Sequence, residues 1–186
     1  MIKLKGVQYL KADMVRRILE EFTAYHGDPT FYHQAHEYAI GVSDRFGVEL
    51  DRTVGVMAAL SPMTSWDLNK KNLETMLSGL PVRYLGKQLD KADKILFDKV
   101  VDIPDVLSGD KTVAFWDNIM RTDQSELVTV DRHASSLVLG GRDVNLHSSA
   151  YGYISDAFKV AAKELNMVVT QLQSAVWNSW RERKLL

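Results

Sequence analysis

Asp131 follows the β-branched run Val128-Thr129-Val130 and is followed by Arg132 and His133, and Lys111 stands twenty positions upstream, two residues after Gly109. A carboxylate placed where an extended run turns into a helix is favoured as an anion by unpaired N–H groups and the helix dipole. Such an aspartate can simply cap the helix, the default role for the residue type. It can also hold a fixed negative charge beside a centre that turns positive during a reaction. Lys111 has three readings: a solvated turn lysine, a phosphate contact from a glycine turn, or an amine nucleophile activated by desolvation. A helix leading out and a loop leading back would let Lys111 and Asp131 open into one cleft. His133 can serve as general acid or base, against the plainer reading of a histidine that packs near a helix start.

Two further clusters carry chemistry. The loop Ser61-Pro62-Met63-Thr64-Ser65-Trp66 breaks sharply after an apolar run. Trp66 and Asn69 could stack on and hydrogen-bond a planar ligand such as a base, or Trp66 could be core. Near the C-terminus Gln173 and Trp177 share a helix face at i, i+4, with core packing the default for the tryptophan. His33 and His36 stand at i, i+3 with Glu37 adjacent, but no third ligand is placed, so no metal is expected. No glycine-rich phosphate loop, GxSxG or HExxH is present.

Composition narrows the classes. The 186 residues suffice for one domain or two small lobes. With no cysteine, disulfides, cysteine-ligated zinc, iron–sulfur clusters and thiol catalysis are excluded. No apolar run approaches the roughly 18 residues of a membrane span, and the first ten residues lack a signal-peptide core. A net charge of −1 counts mildly against binding by non-specific phosphate contacts, without excluding a local basic face.

The elements that must position these residues are helical. Residues 1–10 read as a short extended arm. Asp13 should cap a helix over 14–26 with Val15, Ile18, Leu19, Phe22 and His26 on one stripe. Thr30 should cap a second helix ended by Gly47, with Tyr32, Ala35, Ala39 and Val42 inward. Asp51 to Leu60 is apolar nearly all round from Val54, so this helix should be central. Ser61-Pro62 breaks it, and Thr64 or Ser65 caps Trp66 to Leu77. A mixed-charge helix is expected over 87–101 with Val100 inward, then a turn at Ile103 to Leu107, the Gly109 hinge, and a helix from Thr112 to about Met120. Val128 to Val130 should be an extended lead-in to a helix capped by Asp131 and closed by Gly140-Gly141. The last two helices are expected over 148–165 and 171–184, the second capped by Thr170. No repeat period is present. The expectation is an all-α protein of about ten helices.

Three segments in order resemble the helix-hairpin-helix DNA glycosylase superfamily, the endonuclease III-like group. MAALSPMTSWDLNKKNLETML is similar to the family's apolar helix, its Leu-Ser-x-Gln turn and the following Asn-Lys helix. LDKADKILF resembles the lysine-alanine helix before the hairpin. LSGDKTVAFWDNI, followed by VTVDRHA, resembles the hairpin Leu-Pro-Gly-x-Gly-x-Lys-Thr, a helix, then Val-Asp-x-His. The matches span about Val54 to Ala134. With the later TQLQSAVWNSWR, the set looks most like small glycosylase-like proteins of bacteriophages.

The resemblance implies one domain of two helical lobes, about 30–130 and 1–29 with 131–186, holding a helix-hairpin-helix element and an interlobe cleft. It implies cleavage of the N-glycosidic bond of a flipped, modified or damaged base in double-stranded DNA, with no cofactor, in the cytoplasm of a bacterial host. Asp131 falls on the aspartate that stabilises the cationic sugar, and Lys111 on the lysine that bifunctional members use as a Schiff base. Gly109, Thr112, Met63, Arg132 and His133 fall where DNA is contacted, and Trp66, Asn69, Gln173 and Trp177 where a base pocket would lie. The hairpin is two residues shorter than the family's. With spacing held ungapped from Gly109 to Asp131, the lysine position falls on Val113, and Lys111 becomes a phosphate contact in a monofunctional enzyme. Met63 replaces the intercalating glutamine, and a methionine can still fill a vacated stack. The same scaffold also admits a base-modifying enzyme, or a non-catalytic module binding DNA or protein in which Asp131 is only a cap.

Overall fold

The computed structural model describes residues 1–142, 144 and 146–183. Among them are ten α-helices and one two-stranded sheet. The expected helix end at 184 lies outside the described residues. The chain divides into two compact units, Met1–Tyr32 with Arg121–Leu186, and His33–Met120.

In the first unit the N-terminal arm is a hairpin, where the sequence pattern indicated only an extended segment. β1 (Ile2–Leu4) pairs antiparallel with β2 (Val7–Tyr9), Ile2 opposite Tyr9. Lys5 and Gly6 both have positive φ, 46° and 80°, the twist that a two-residue hairpin turn requires. Helix α1 (Lys11–Tyr25) begins one turn earlier than Asp13 indicated. Leu10 is its N-cap and Asp13 lies in the first turn, where a carboxylate suits the dipole. His26, expected inward, is exposed at the left-handed C-cap, and Glu21 is buried instead.

Helices α8 (Arg132–Val138), α9 (Ser148–Glu164) and α10 (Val169–Arg183) complete this unit, and α1 packs on all three. Its core joins Met14, Val15 and Ile18 of α1, Leu137 and Val138 of α8, Ile154 and Phe158 of α9, and Leu172 and Val176 of α10. α8 is buried from Ala134 onward and closes on two glycines. The Gly141 N–H donates to Ser136 O at 2.7 Å and the Gly140 N–H to Leu137 O at 3.1 Å, with φ of 86° and 69°. That pairing satisfies the last carbonyls and favours residues without a Cβ. Thr170, expected as a cap, lies inside α10. Its hydroxyl donates to Thr122 O at 3.1 Å, so it ties down the loop before α8.

The second unit contains most of α2 (Phe31–Phe46), then α3 (Leu50–Ala59), α4 (Trp66–Leu77), α5 (Gly86–Phe97), α6 (Ile103–Leu107) and α7 (Asp110–Arg121). α3 is central: Val54 to Leu60 are all buried. It packs on α4, α5 and α6. A Cβ at Gly55 would come within 2.9 Å of Ile95 and 3.0 Å of Ile103, so the glycine sets how closely α5 and α6 approach. Ser65 caps α4, its Oγ accepting from the Leu68 N–H at 3.3 Å. α5 stops at Phe97 because Asp98 is already extended, and Val100 is exposed, not inward.

Candidate functional site

Asp131 lies in the first unit, at the end of Val128-Thr129-Val130. These three residues are buried and belong to no strand, and the Asp131 N–H turns back to donate to Thr129 O at 3.0 Å. Buried backbone groups need partners, and side chains supply them. The Tyr151 hydroxyl of α9 donates to Val128 O at 2.7 Å and accepts from the Val130 N–H at 3.1 Å. Gln173 Nε2 of α10 donates to Thr129 O at 3.2 Å. The β-branched run is therefore a rigid lead that delivers Asp131 to the head of α8.

There the carboxylate is held from two sides. Oδ1 accepts the Ala134 N–H at 2.8 Å, the capping bond, and Oδ2 accepts the indole Nε1–H of Trp177 at 2.9 Å. Asp131 is half-buried, so each oxygen has one lone pair committed and the group stays partly open to solvent. The indole is fixed in turn. Phe31 packs at 5.6 Å between ring centroids, His133 meets it edge-on at 6.1 Å, and the Arg181 guanidinium lies 4.4 Å over its face.

Beneath these rings runs a buried polar seam. The Tyr32 hydroxyl donates to Gln173 Oε1 at 2.6 Å. The Ser174 hydroxyl accepts from the Phe31 N–H at 3.2 Å and donates to Asp28 O at 3.0 Å. A Cβ on Gly27 would fall 2.1 Å from Ala175 O. Only glycine lets the 26–32 segment lie this close on α10, and that segment delivers Phe31 to Trp177.

This unit thus gathers Asp131, His133, Gln173 and Trp177 into one neighbourhood. Arg132 is exposed on the first residue of α8. Gln173 is buried with both ends of its amide used, so it is a support and not a pocket wall. Trp177 hydrogen-bonds the carboxylate in addition to presenting a ring.

Lys111, Gly109, Thr112, Met63, Trp66 and Asn69 belong to the other unit. α6 and α7 are joined there through the two residues Ser108 and Gly109. The left-handed residue is Ser108, with φ of 54°, and not Gly109. Lys91 of α5 steadies the turn, its Nζ donating to Leu107 O at 2.6 Å and Ser108 Oγ at 2.9 Å. Thr112 is buried, with its hydroxyl turned back on Gly109 O at 3.0 Å. Lys111 is half-buried in the first turn of α7, and its side chain makes no hydrogen bond or ion pair with another described residue. Met63 is 88% exposed with φ of 60°, a strained conformation for a side chain of that size. Trp66 meets Tyr38 edge-on at 6.1 Å with Lys70 Nζ 5.7 Å over its ring. Asn69 is only 2% exposed, and its Oδ1 has no hydrogen-bond partner.

Comparison with known proteins gives a match to one family over residues 4–184, nearly the whole chain. The chain belongs to this family of unknown function, DUF7178. No curated protein and no solved structure matches it.

In this DUF7178 member, sequence reasoning passed over Phe31, Tyr32 and Arg181 as parts of the site. Arg181 had a local signal, since it follows Trp177 at the helical i, i+4 spacing that brings side chains together. Phe31 and Tyr32 had none, because their contacts with α10 span more than 140 positions. Among the described residues no group of three or more His, Cys, Asp or Glu side chains could hold a metal ion. No described helix is long and apolar enough to cross a membrane. The His33–His36 pair is occupied otherwise in part, His36 Nδ1 lying 2.8 Å from Ile119 O.

Proposed function

We propose that this chain is a DNA base glycosylase that breaks the N-glycosidic bond of a flipped, modified or damaged base. One observation carries the reading: a carboxylate at a helix head, with each oxygen fixed by one donor and its remaining lone pairs uncommitted, among half-buried rings. As the C1′–N bond lengthens, the sugar takes on oxocarbenium character, and a fixed anion stabilises that charge without reorganising. Water then adds at C1′ and the base departs with a proton. Within the unit that holds Asp131, Arg132 and His133 are the residues assigned to contact DNA.

A second reading keeps Asp131 as a cap in a non-catalytic module that binds DNA or protein. The 2.8 Å bond to the Ala134 N–H favours it. Asp131→Asn separates the two. Asparagine caps as well as aspartate, but its amide N–H₂ would face the Trp177 indole N–H, a mismatch costing about 1 kcal/mol. The fold should survive with its charge at residue 131 removed. On duplexes each carrying one uracil, alkylated purine, oxidised purine or 5-substituted pyrimidine, base release should fall at least about 100-fold. Undiminished release by the variant contradicts the assignment of Asp131.

A further inference from the structure

We infer that Trp177 is a positioning residue for Asp131 and that Arg181 holds Trp177 in that role; the inference rests on the glycosylase reading above. The Ala134 N–H alone leaves a carboxylate free to rotate about its capped oxygen. The indole Nε1–H, 2.9 Å from Oδ2, removes that freedom. A half-buried indole N–H usually finds an acceptor, but a carboxylate from a residue 46 positions away is a long-range choice that fixes a helix cap more tightly than capping requires.

The surroundings are arranged about that bond. Phe31 and the edge of His133 confine the indole plane, and the Arg181 guanidinium sits 4.4 Å over its face. A cation over the π-face draws on the ring's electron density and strengthens the N–H as a donor. Carboxylate, indole and guanidinium then form an ordered series: the negative group faces the reacting sugar, and the positive group is held behind the ring. Trp177 acts through Asp131, and its ring need not touch the base.

The full chain tests this with two replacements that differ in what they remove. Trp177→Phe keeps a ring and loses the donor. A genetically encoded benzothienylalanine at residue 177 keeps the two-ring shape and loses only the N–H, which covers a folding defect in the phenylalanine variant. Both should lower kcat about tenfold, the loss of one hydrogen bond to a charged group, with KM changed less than about twofold. Arg181→Met should lower kcat about two- to fivefold. Independently of activity, the four tryptophans give four indole N–H resonances. The one lost in Trp177→Phe should be displaced in Asp131→Asn. Unchanged kcat in both Trp177 replacements, with Asp131→Asn inactive, overturns the positioning role, as does an indole resonance indifferent to Asp131→Asn. Full activity in Asp131→Asn instead overturns the glycosylase reading, and the role falls with it even where the resonance still reports the bond.

Discussion

Lys111 separates two forms of the proposed activity. It stands in the first turn of α7, beside N–H groups that have no helical partner, and its side chain makes no hydrogen bond or ion pair with another described residue. That placement suits a phosphate contact better than a desolvated nucleophile. Lys111→Met should therefore weaken duplex binding and reduce the slope of log K against log salt by about 0.9, with no borohydride-trapped adduct in either protein. A trapped species that disappears in the variant would make Lys111 an amine nucleophile. Met63 is exposed on a left-handed backbone. That conformation costs roughly 1–2 kcal/mol, while glycine would lose about 0.5–1 through the unfolded chain. Met63→Gly should leave the urea midpoint unchanged or higher and weaken DNA binding; a clear loss of stability would show that the exposed side chain is structural. Asp131 was legible in sequence because a β-branched run ending in Asp before Arg-His-Ala is a local cap signal. Its bond to Trp177 was not, since nothing local links residues 46 positions apart.

At the scale of elements, α10 organises the first unit with a polar face. Hydrophobic periodicity correctly placed Leu172 and Val176 inward, but it sends glutamine, serine and threonine outward. Here Thr170, Gln173, Ser174 and Ser179 are buried. They satisfy backbone of irregular segments and the buried Glu21, whose carboxylate accepts from Ser179 Oγ at 2.8 Å and pairs with Arg183. Such partners belong to tertiary structure and leave no trace in a period. The same holds for the hairpin, whose strands of three residues are too short for alternation to register. Gly27 tests the arrangement. Gly27→Ala must displace either the 26–32 segment or α10, and should cost at least about 2 kcal/mol in urea unfolding. A variant as stable as the parent would mean that the segment does not rest on α10 as closely as described.

For the molecule as a whole, the helical class followed directly from 3.6-residue patterning, and α3 was legible as central because few helices are apolar on every side. Its stability should carry an alkaline dependence from Tyr38 and Tyr84. Burial pushes both hydroxyls upward, and for Tyr38 the hydrogen bond to Glu74 adds to the effect. A folded-state value above the ordinary tyrosine value of about 10 means that the unfolded chain loses its proton first. The stabilisation is full below that pH and is lost as pH rises past it. Unfolding measured against pH should show stability falling above about pH 10, less steeply in Tyr84→Phe. The Tyr84 hydroxyl is buried without a hydrogen-bond partner, so Tyr84→Phe should also gain about 1 kcal/mol at neutral pH. Loss of stability there would mean that the hydroxyl is satisfied.

The proposed activity and its closest competitor on the same scaffold differ in mass balance. Duplex DNA carrying a single modified base, incubated with the full chain, can be analysed by mass spectrometry for free base and for nucleosides together with a count of abasic sites. Free base and abasic sites are expected in equal amounts, both lost in Asp131→Asn. A nucleoside that gains mass with no abasic site formed would contradict glycosidic cleavage and make the chain a base-modifying enzyme.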